Sequence, residues 1–343
     1  MKVLVTGHKG FIGTVMVPIL SREGFDVTGL DTDLYRHCTY GDPPAEIPSI
    51  DKDVRRVEKE DLRGFDAIVH LAALSNDPLG DINPEVTYDI NHRASVRIAE
   101  MAREVGVERF LFASSCSMYG KAGDDMLDET AEFNPVTAYA KSKVFVERDV
   151  APLARDGFSP VFLRNATAYG VSPRIRFDLV INNLVAWAHT TGKILMKSDG
   201  TPWRPLVHIE DITQAVVFAL RADREVIHNL AVNVGSNEEN YQMRDLAQFV
   251  KQTVPNCEIE YADGAGPDTR CYRVNFDKIH RVFPDFKTRW TARKGVEECY
   301  QSYLKHGLNA DEYEGIKYKR IAHVMNLIEE GKLDTSLFWQ NQS

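Results

Sequence analysis

A tyrosine and a lysine four residues apart are well suited to move a proton. Tyr139 and Lys143 lie in the run YAKSK, and on a helix this spacing puts both side chains on one face. A nearby ammonium favours the phenolate, so the pKa of the tyrosine falls toward the working pH and the phenol becomes a usable general base. The pattern alone is common, and an exposed tyrosine beside a solvated lysine is the alternative. Ser115 lies 24 residues before Tyr139, at the predicted end of a buried strand, where α/β sheets bind ligands.

Three glycines near the amino terminus separate an apolar run from a helix-like pattern. They are Gly7, Gly10 and Gly13, and the apolar run before them is 2–6. Glycines permit a tight turn, a close approach of the backbone to a diphosphate and tight packing of the following helix. The amino terminus of that helix offers unpaired N–H groups and a partial positive charge to phosphates. The loop therefore predicts a dinucleotide site.

A carboxylate at the predicted end of the second strand indicates which dinucleotide is bound. Asp31 follows Gly13 by 18 residues; it can accept hydrogen bonds from both ribose hydroxyls of NAD and repels the 2′-phosphate of NADP. A helix cap or a solvated loop acid is the alternative. Lys9 and Arg36 are cations within reach of a 2′-phosphate. The sequence thus favours NAD and leaves NADP open.

The elements that position these residues alternate between strands and helices. Short apolar runs predict strands at 2–6, 26–30, 67–73, 109–113 and 159–163. Helical patterns at 11–22 and 85–103 lie between them. This alternation predicts an α/β fold with a doubly wound parallel sheet of the Rossmann type.

After Gly170, prolines break the pattern into shorter pieces, which predicts a smaller C-terminal α+β domain that binds substrate. We expect residues 1–170 to form the dinucleotide-binding domain, with 206–234 returning to it. Residues 171–205 and 235–343 are then the substrate-binding domain, and its tail at 311–331 is predicted to be a polar helix.

Charge and composition exclude several classes of protein. The 343 residues include 41 Lys plus Arg and 50 Asp plus Glu, a net charge of −9, which argues against nonspecific binding to nucleic acid or to anionic membranes. No run approaches the roughly 20 uncharged apolar residues of a membrane-spanning helix, and the start lacks a signal-peptide pattern. Five scattered cysteines without a C-x-x-C pair argue against zinc and against a disulfide framework. We therefore expect a cytoplasmic protein without a metal.

Together these residues resemble the extended short-chain dehydrogenase/reductase family, in particular its NAD-dependent nucleotide-sugar epimerases and dehydratases. The resemblance covers about residues 2–304. Its markers are the glycine loop, HLAA at 70–73, the Ser115, Tyr139 and Lys143 triad, RNATAYG at 164–170 and WRPLVH at 203–208. It implies an enzyme whose catalytic residues are those three.

The resemblance also implies two sets of binding residues. Those expected at the cofactor are Gly7, Gly10, Phe11, Ile12, Gly13, Asp31, Asp53, Val54, Leu71, Ala72, Ala73, Asn91, Tyr139 and Lys143. Those expected at the nucleotide sugar are Ser75, Ser115, Thr167, Asn183, Arg204 and Arg270. Arginine suits that site because guanidinium pairs with phosphate through two hydrogen bonds. The alternatives are helix-face polar residues for the two asparagines and surface residues for the two arginines.

The chain departs from the family pattern beside the substrate. Dehydratases usually carry Asp-Glu directly after the triad serine or threonine, where this chain has Cys116 and Ser117. Neither is a good acid at neutral pH, so a 4,6-dehydratase is disfavoured. Thr167 stands where the family has asparagine, Asn165 is expected on another face of its strand, and Pro205 replaces an aspartate. These differences concern the sugar pocket.

The favoured function is an NAD-dependent oxidoreductase or epimerase of a nucleotide-diphosphate sugar, acting at carbon four, with Tyr139 taking the hydroxyl proton as hydride passes to nicotinamide. Three alternatives stay open: a keto-sugar reductase, a reductase of a non-nucleotide substrate, and a catalytically silent cofactor sensor. The family resemblance also implies a homodimer through helices at 85–103 and 138–153. Val144, Phe145 and Val150 give the second helix an apolar stripe, which a core-facing helix would show equally.

Overall fold

A seven-stranded parallel sheet lies at the centre of the chain. The computed structural model describes residues 1–75, 83–120, 125–266 and 271–340. The strands are β1 (Lys2–Thr6), β2 (Asp26–Asp31), β3 (Ser49–Asp51), β4 (Ala67–His70), β5 (Arg109–Ser115), β6 (Met126–Leu127), β7 (Ser159–Asn165), β8 (Thr167–Tyr169), β9 (Lys193–Ser198), β10 (Trp203–His208), β11 (Leu230–Val234), β12 (Asn240–Gln242), β13 (Glu258–Gly266) and β14 (Arg273–Val274). The central order is β11-β7-β5-β4-β1-β2-β3, with every neighbouring pair parallel. The chain changes direction across the sheet between β1 and β4, as in a doubly wound sheet, so the predicted fold class is confirmed.

Helices cover both faces of this sheet. The α-helices of the described residues are α1 (Gly13–Arg22), α2 (Pro84–Tyr88), α3 (Ala94–Glu104), α4 (Ala138–Val150), α5 (Val180–Thr191), α6 (Ile209–Arg221), α7 (Arg224–Ile227), α8 (Met243–Thr253), α9 (Asp277–Val282), α10 (Ala292–Lys305), α11 (Ala310–Glu314) and α12 (Arg320–Glu329). Val3 and Val5 of β1 belong to the core beneath α1 and α6, whereas Leu4 belongs to the core beneath α3 and α4. Successive side chains of a strand point to opposite faces, which explains the continuous apolar run in β1.

The smaller part of the fold is built on short sheets. β8, β10 and β12 form one sheet, in which β10 runs parallel to β8 and antiparallel to β12. β9 pairs with β13, and β14 pairs with β6. A third apolar core lies among α5, α8 and α10. The division at residue 170 stays a prediction, although β11 does lie at the edge of the central sheet.

The segment after α10 contains two short helices, α11 and α12, in place of the single polar helix expected at 311–331. Val324 and Leu327 of α12 are buried in the core shared with α3 and α4. In the part of the chain that the structure describes, every helix is too short or too polar to cross a membrane.

Candidate active site

A cavity of about 940 Å³ opens at the carboxyl ends of the central strands. Most of the predicted site residues contribute to its walls. They are Gly7, Gly10, Phe11, Ile12, Gly13, Asp31, Asp53, Val54, Leu71, Ala72, Ala73, Ser75, Ser115, Tyr139, Lys143, Thr167 and Arg204. Asn91 and Asn183 do not line it, and Arg270 lies outside the described residues. The volume is at the upper end of the range for small-molecule sites.

The glycine loop forms one end of the cavity. Gly7 has a φ of +74°, and a Cβ there would lie 2.7 Å from the backbone nitrogen of Ala72. A Cβ on Gly13 would lie 2.4 Å from the carbonyl oxygen of Gly7. For Gly10 the nearest atom is that same oxygen, at 3.1 Å. Packing within the protein therefore requires glycine at positions 7 and 13, while a Cβ on Gly10 would have one tight neighbour and otherwise face the space open to a ligand.

Asp31 faces the cavity at the end of β2. Its Oδ2 accepts the Lys9 N–H at 2.9 Å, and its Oδ1 accepts the Asp33 N–H at 2.8 Å. Burial raises the pKa of Asp31, and the two N–H groups oppose that rise. Lys9 Nζ lies 3.7 Å from Asp33, and the Arg36 guanidinium lies over the Trp339 ring at 3.9 Å. Lys9 and Arg36, the two cations within reach of a 2′-phosphate of NADP, therefore both have partners within the protein.

Helix α4 carries the tyrosine and lysine. Thr137 caps this helix, since its Oγ1 accepts the Ala140 N–H at 3.1 Å. Lys143 is only 2% exposed; its Nζ donates to the Ala113 carbonyl at 2.6 Å and lies 5.4 Å from the Tyr139 ring centre. Burial lowers the pKa of Lys143 to about 7, although Glu147 opposes the change. This contact agrees with the prediction that Tyr139 and Lys143 lie on the same face of a helix.

The turn after β5 presents a hydroxyl to the cavity and turns a thiol away from it. Ser115 Oγ accepts the Ser117 N–H at 3.1 Å and donates to Ser117 Oγ at 2.9 Å. Cys116 is fully buried, its Sγ donates to the Arg164 carbonyl at 3.1 Å, and burial raises the pKa of the thiol. Cys116 therefore holds its proton at neutral pH.

The two asparagines outside the cavity lining bind backbone groups. Asn91 accepts the Leu74 N–H at 2.7 Å and donates to the Leu74 carbonyl at 2.9 Å. Asn183 donates to the Phe177 carbonyl and to the Tyr313 hydroxyl, each at 2.8 Å. Both side chains thus hold segments that line the cavity, namely the loop after β4 and the loop before α5. A direct contact with ligand stays a prediction for each.

Asn165 was expected on another face of its strand, but it lines the cavity. The register of β7 against β5 pairs Asn165 with Ser115, which brings the side chain to the same strand ends as the serine. Its Nδ2 donates to the Ser114 carbonyl at 3.4 Å. Its Oδ1 is buried and finds no hydrogen-bond partner among the described residues. Because buried acceptors normally have a hydrogen-bond donor, we expect a bound ligand to supply one here.

The residues of the cavity fit NAD. The carboxylate of Asp31 suits ribose hydroxyls, and the loop at Gly10 with the start of α1 suits a diphosphate. The free Oδ1 of Asn165, near Ser115 and β5, suits a donor such as the carboxamide of nicotinamide.

A cluster of charges that motif reasoning missed also lines the cavity. Arg176 pairs with Asp178 through two hydrogen bonds, at 3.1 and 2.7 Å, and its Nη1 donates to Ser75 Oγ at 2.7 Å. Burial acts to raise the pKa of Asp178, but Arg176 overrides it and brings the value to about 2. Arg320 joins this cluster from α12, and its guanidinium lies over the Tyr35 ring at 4.1 Å.

A weak sequence signal marked only part of this cluster. In the segment RIRFD at 174–178, charged residues alternate with Ile175 and Phe177, which are both buried. Such alternation in a predicted loop indicates that the charged side chains share one side of the segment. Arg320 has no comparable signal, because it follows a polar stretch more than 100 residues further along.

The fold and the cavity are those of a dinucleotide-binding protein, and the comparisons with known proteins name the family. Residues 3–235 match the family described as "NAD dependent epimerase/dehydratase family", and the chain belongs to this family. The putative UDP-glucose 4-epimerase of Methanocaldococcus jannaschii is 28% identical over 289 residues, which are 83% of this chain and 90% of that one.

Two solved structures share the fold over 89% of this chain. MoeE5 in complex with UDP-glucuronic acid and NAD is 25% identical, with a TM-score of 0.77 over 99% of its own chain. TunA, an NAD-dependent NDP-hexosamine 5,6-dehydratase, is 22% identical, with a TM-score of 0.78 over 98% of its chain. The predicted family, its enzymatic character and its use of NAD are thereby confirmed.

Proposed function

We propose that this protein is an NAD-dependent epimerase that inverts carbon four of a nucleotide-diphosphate sugar. The observation that carries the proposal is one cavity bounded by both the glycine loop and the catalytic residues Ser115, Tyr139 and Lys143. A dinucleotide whose diphosphate lies at the loop can then extend toward Tyr139. The relatives named UDP-glucose 4-epimerase support the same reaction.

Each catalytic residue has a role that its surroundings favour. Tyr139 takes the proton of the sugar hydroxyl and later returns it. Lys143, beside the ring of Tyr139, stabilises the phenolate by its positive charge. Ser115 donates its hydroxyl proton to the reacting sugar oxygen and so orients it. The chemistry that NAD supplies when bound is reversible hydride acceptance from a carbon that bears a hydroxyl.

The acids around the cavity favour epimerisation over elimination of water. Elimination needs an acid that gives a proton to the leaving hydroxyl. Cys116, at the position of the family's acid pair, is fully buried and keeps its proton. Asp178 is held as an anion by Arg176, so it has no proton to give at neutral pH. Both groups argue against a dehydratase.

The nucleotide-sugar site is proposed around Ser75, Thr167 and Arg204, which line the cavity. Arg270 is proposed with them from the family pattern alone. Arginine at such a site pairs with a diphosphate in a charge-assisted way. MoeE5, at 25% identity, binds UDP-glucuronic acid, and this supports a uridine diphosphate sugar as the first substrate to test.

The homodimer remains a proposal based on helices α2 to α4. Val150 is fully buried within the chain, so it does not belong to an interface stripe. Phe145 is half-buried and contacts the rings of Tyr88 and His92, with ring centres 6.0 and 5.4 Å away. Light scattering of the full chain should give twice the monomer mass of 38.8 kDa.

The test of the reaction is the Tyr139→Phe variant with UDP-glucose and UDP-glucuronic acid as substrates. NMR should show inversion at carbon four by the wild type, without NADH accumulating. The variant should lose about 10²- to 10⁴-fold in turnover, because the general base is gone, and should still bind NAD. Tyr261→Phe is the matched control, since Tyr261 is 56% exposed.

Two results would contradict the proposal. Undiminished turnover by Tyr139→Phe would remove Tyr139 as the base. Stoichiometric NADH and a released keto sugar would favour net oxidation over epimerisation.

A further inference from the structure

The chain end (residues 320–340) packs on the dinucleotide-binding half of the molecule. Leu333 and Leu337 join α12 in the core beneath α3 and α4. Leu333 is 2% exposed and Leu337 is 5% exposed. This burial stabilises the attached position, because each fully buried leucine contributes about 1.5–3 kcal/mol relative to exposure.

Polar contacts join the same segment, residues 320–340, to the loop that follows Asp31. Trp339 donates its indole N–H to the Thr32 carbonyl at 2.7 Å. Arg55, next to the expected cofactor-binding residues Asp53 and Val54, donates to the Ser336 carbonyl at 2.7 Å and lies 3.6 Å from the centre of the Phe338 ring. The chain end is therefore attached at the adenosine side of the cavity.

Arg320 and Leu337 of this segment line the cavity itself. Arg320 donates to the Arg174 carbonyl at 3.1 Å, next to the Ile175–Asp178 run that carries Arg176. Two guanidinium groups, of Arg176 and Arg320, thus face one carboxylate, that of Asp178. The cluster carries a net positive charge.

One carboxylate does not neutralise the two guanidinium groups, so the cluster favours a further anion. Burial lowers the pKa of Arg320; Tyr35 and Asp178 oppose this, and the nearby charge of Arg176 lowers it again. A partly buried cation beside a second cation is stabilised by a bound anion.

We propose that residues 320–340 form part of the dinucleotide site, with Arg320 binding the cofactor's diphosphate from the side opposite the glycine loop. The proposal rests on the proposed function in treating the cavity as a dinucleotide site. The cofactor's diphosphate is favoured over the substrate's charges because Arg320 lies on Tyr35, in the loop that begins at Asp31. The glycine loop, which receives the diphosphate, is held to the same loop by the Lys9 N–H on Asp31.

Slow exchange of the cofactor follows from this arrangement. Contacts of the dinucleotide with Arg320 slow its release, and the attachment of the chain end to Thr32 and Arg55 holds Arg320 in place. An epimerase that reduces and reoxidises the same cofactor needs no exchange between turnovers.

The experiment compares NAD binding by full-length Arg320→Gln, Arg320→Lys and Lys317→Gln proteins. Calorimetry gives the Kd of NAD, and a chase of isotope-labelled NAD by unlabelled NAD gives its release rate, both without sugar nucleotide. Arg320→Gln should raise Kd and the release rate by roughly 10- to 100-fold, as expected for a lost bond to a charged group. Arg320→Lys should recover part of this. Lys317 is exposed three residues before Arg320 and serves as the control.

Trp339→Phe keeps the proposal testable if Arg320→Gln fails to fold. It removes the indole N–H but leaves Arg320 in place, and it should speed NAD release several-fold. NAD binding that changes less than threefold in Arg320→Gln would overturn the proposal. A raised KM for the sugar nucleotide with unchanged Kd for NAD would also overturn it, by assigning Arg320 to the substrate. Failure of the proposed epimerisation appears instead as wild-type protein that binds NAD but does not invert carbon four.

Discussion

Replacing Lys143 by methionine should make the free protein more stable while removing its activity. Lys143 is 2% exposed, and burial moves the pKa of its ammonium from 10.5 to about 7. At about 1.4 kcal/mol for each pH unit, holding the charged form in the folded protein costs roughly 4 kcal/mol at pH 7. Methionine of similar length removes this cost. It also leaves the Ala113 carbonyl without its 2.6 Å partner, a loss of about 1 kcal/mol.

The dependence on pH separates this effect from ordinary repacking. The folded protein loses the lysine proton near pH 7, whereas the unfolded chain keeps it to about 10.5. Between these values the unfolded state binds more protons, so wild-type stability rises with pH. The variant lacks that rise. Its advantage should therefore be about 3 kcal/mol at pH 7 and near zero at pH 10, an average slope of roughly −1 kcal/mol per pH unit.

Urea unfolding of dinucleotide-free protein from pH 7 to pH 10 measures this difference. NAD has to be removed first, because a ligand of the folded state adds stability of its own. Lys141→Met is the matched control, since Lys141 is exposed on the same helix; its stability difference should be small and flat with pH. A Lys143→Met difference that does not change with pH would refute the reasoning.

Three further sets of substitutions test the framework of the site. Glu147→Gln should cost about 3 kcal/mol of stability, because it leaves the buried Arg164 guanidinium without the carboxylate 2.7 Å away. Gly13→Ala should destabilise the free protein by about 1–3 kcal/mol, since its Cβ would lie 2.4 Å from a backbone carbonyl, whereas Gly10→Ala should mainly weaken NAD binding. Thr137→Ala should cost about 1 kcal/mol by removing the cap of the catalytic helix, and Thr137→Ser should restore most of it.

Matched measurements decide each of these outcomes. Glu100 is exposed on α3, so Glu100→Gln should leave the urea midpoint unchanged, whereas Glu147→Gln should lower it. Equal midpoints for the two variants would contradict the stabilising role of the buried pair of Glu147 with Arg164. The two glycine variants should differ in thermal stability before NAD is added, and equal losses would mean that packing within the loop does not separate them. For Thr137, a serine variant as unstable as alanine would exclude the hydrogen bond as the cause.

Local rules were sufficient for the parts of the site that lie close together along the chain. The constraint on Gly13 comes from backbone atoms of Gly7 and His8 within the same loop. The contact of Tyr139 with Lys143 follows from helical spacing. The alternation of strands and helices predicted the parallel sheet, since parallel strands need crossover connections.

Long-range packing decided the positions of residues that sequence reasoning left open or predicted wrongly. Asn165 faces the cavity because β7 pairs with β5 in a register that places it beside Ser115. Asn91 holds the Leu74 backbone, which depends on how the helical segment packs against the loop after β4.

The position of the chain end is the clearest case of what only the tertiary structure decided. Trp339 binds Thr32, 307 positions earlier, and Leu337 is buried in the core that includes Leu4 and Leu30. No periodicity in 320–340 predicts these partners. The amino-acid sequence by itself determined the glycine loop, the spacing of Tyr139 and Lys143 and the class of sheet, because those depend on residue type and short spacing. Which cations line the cavity was decided by the fold, because apolar burial is non-directional and selects its partner only when the whole chain packs.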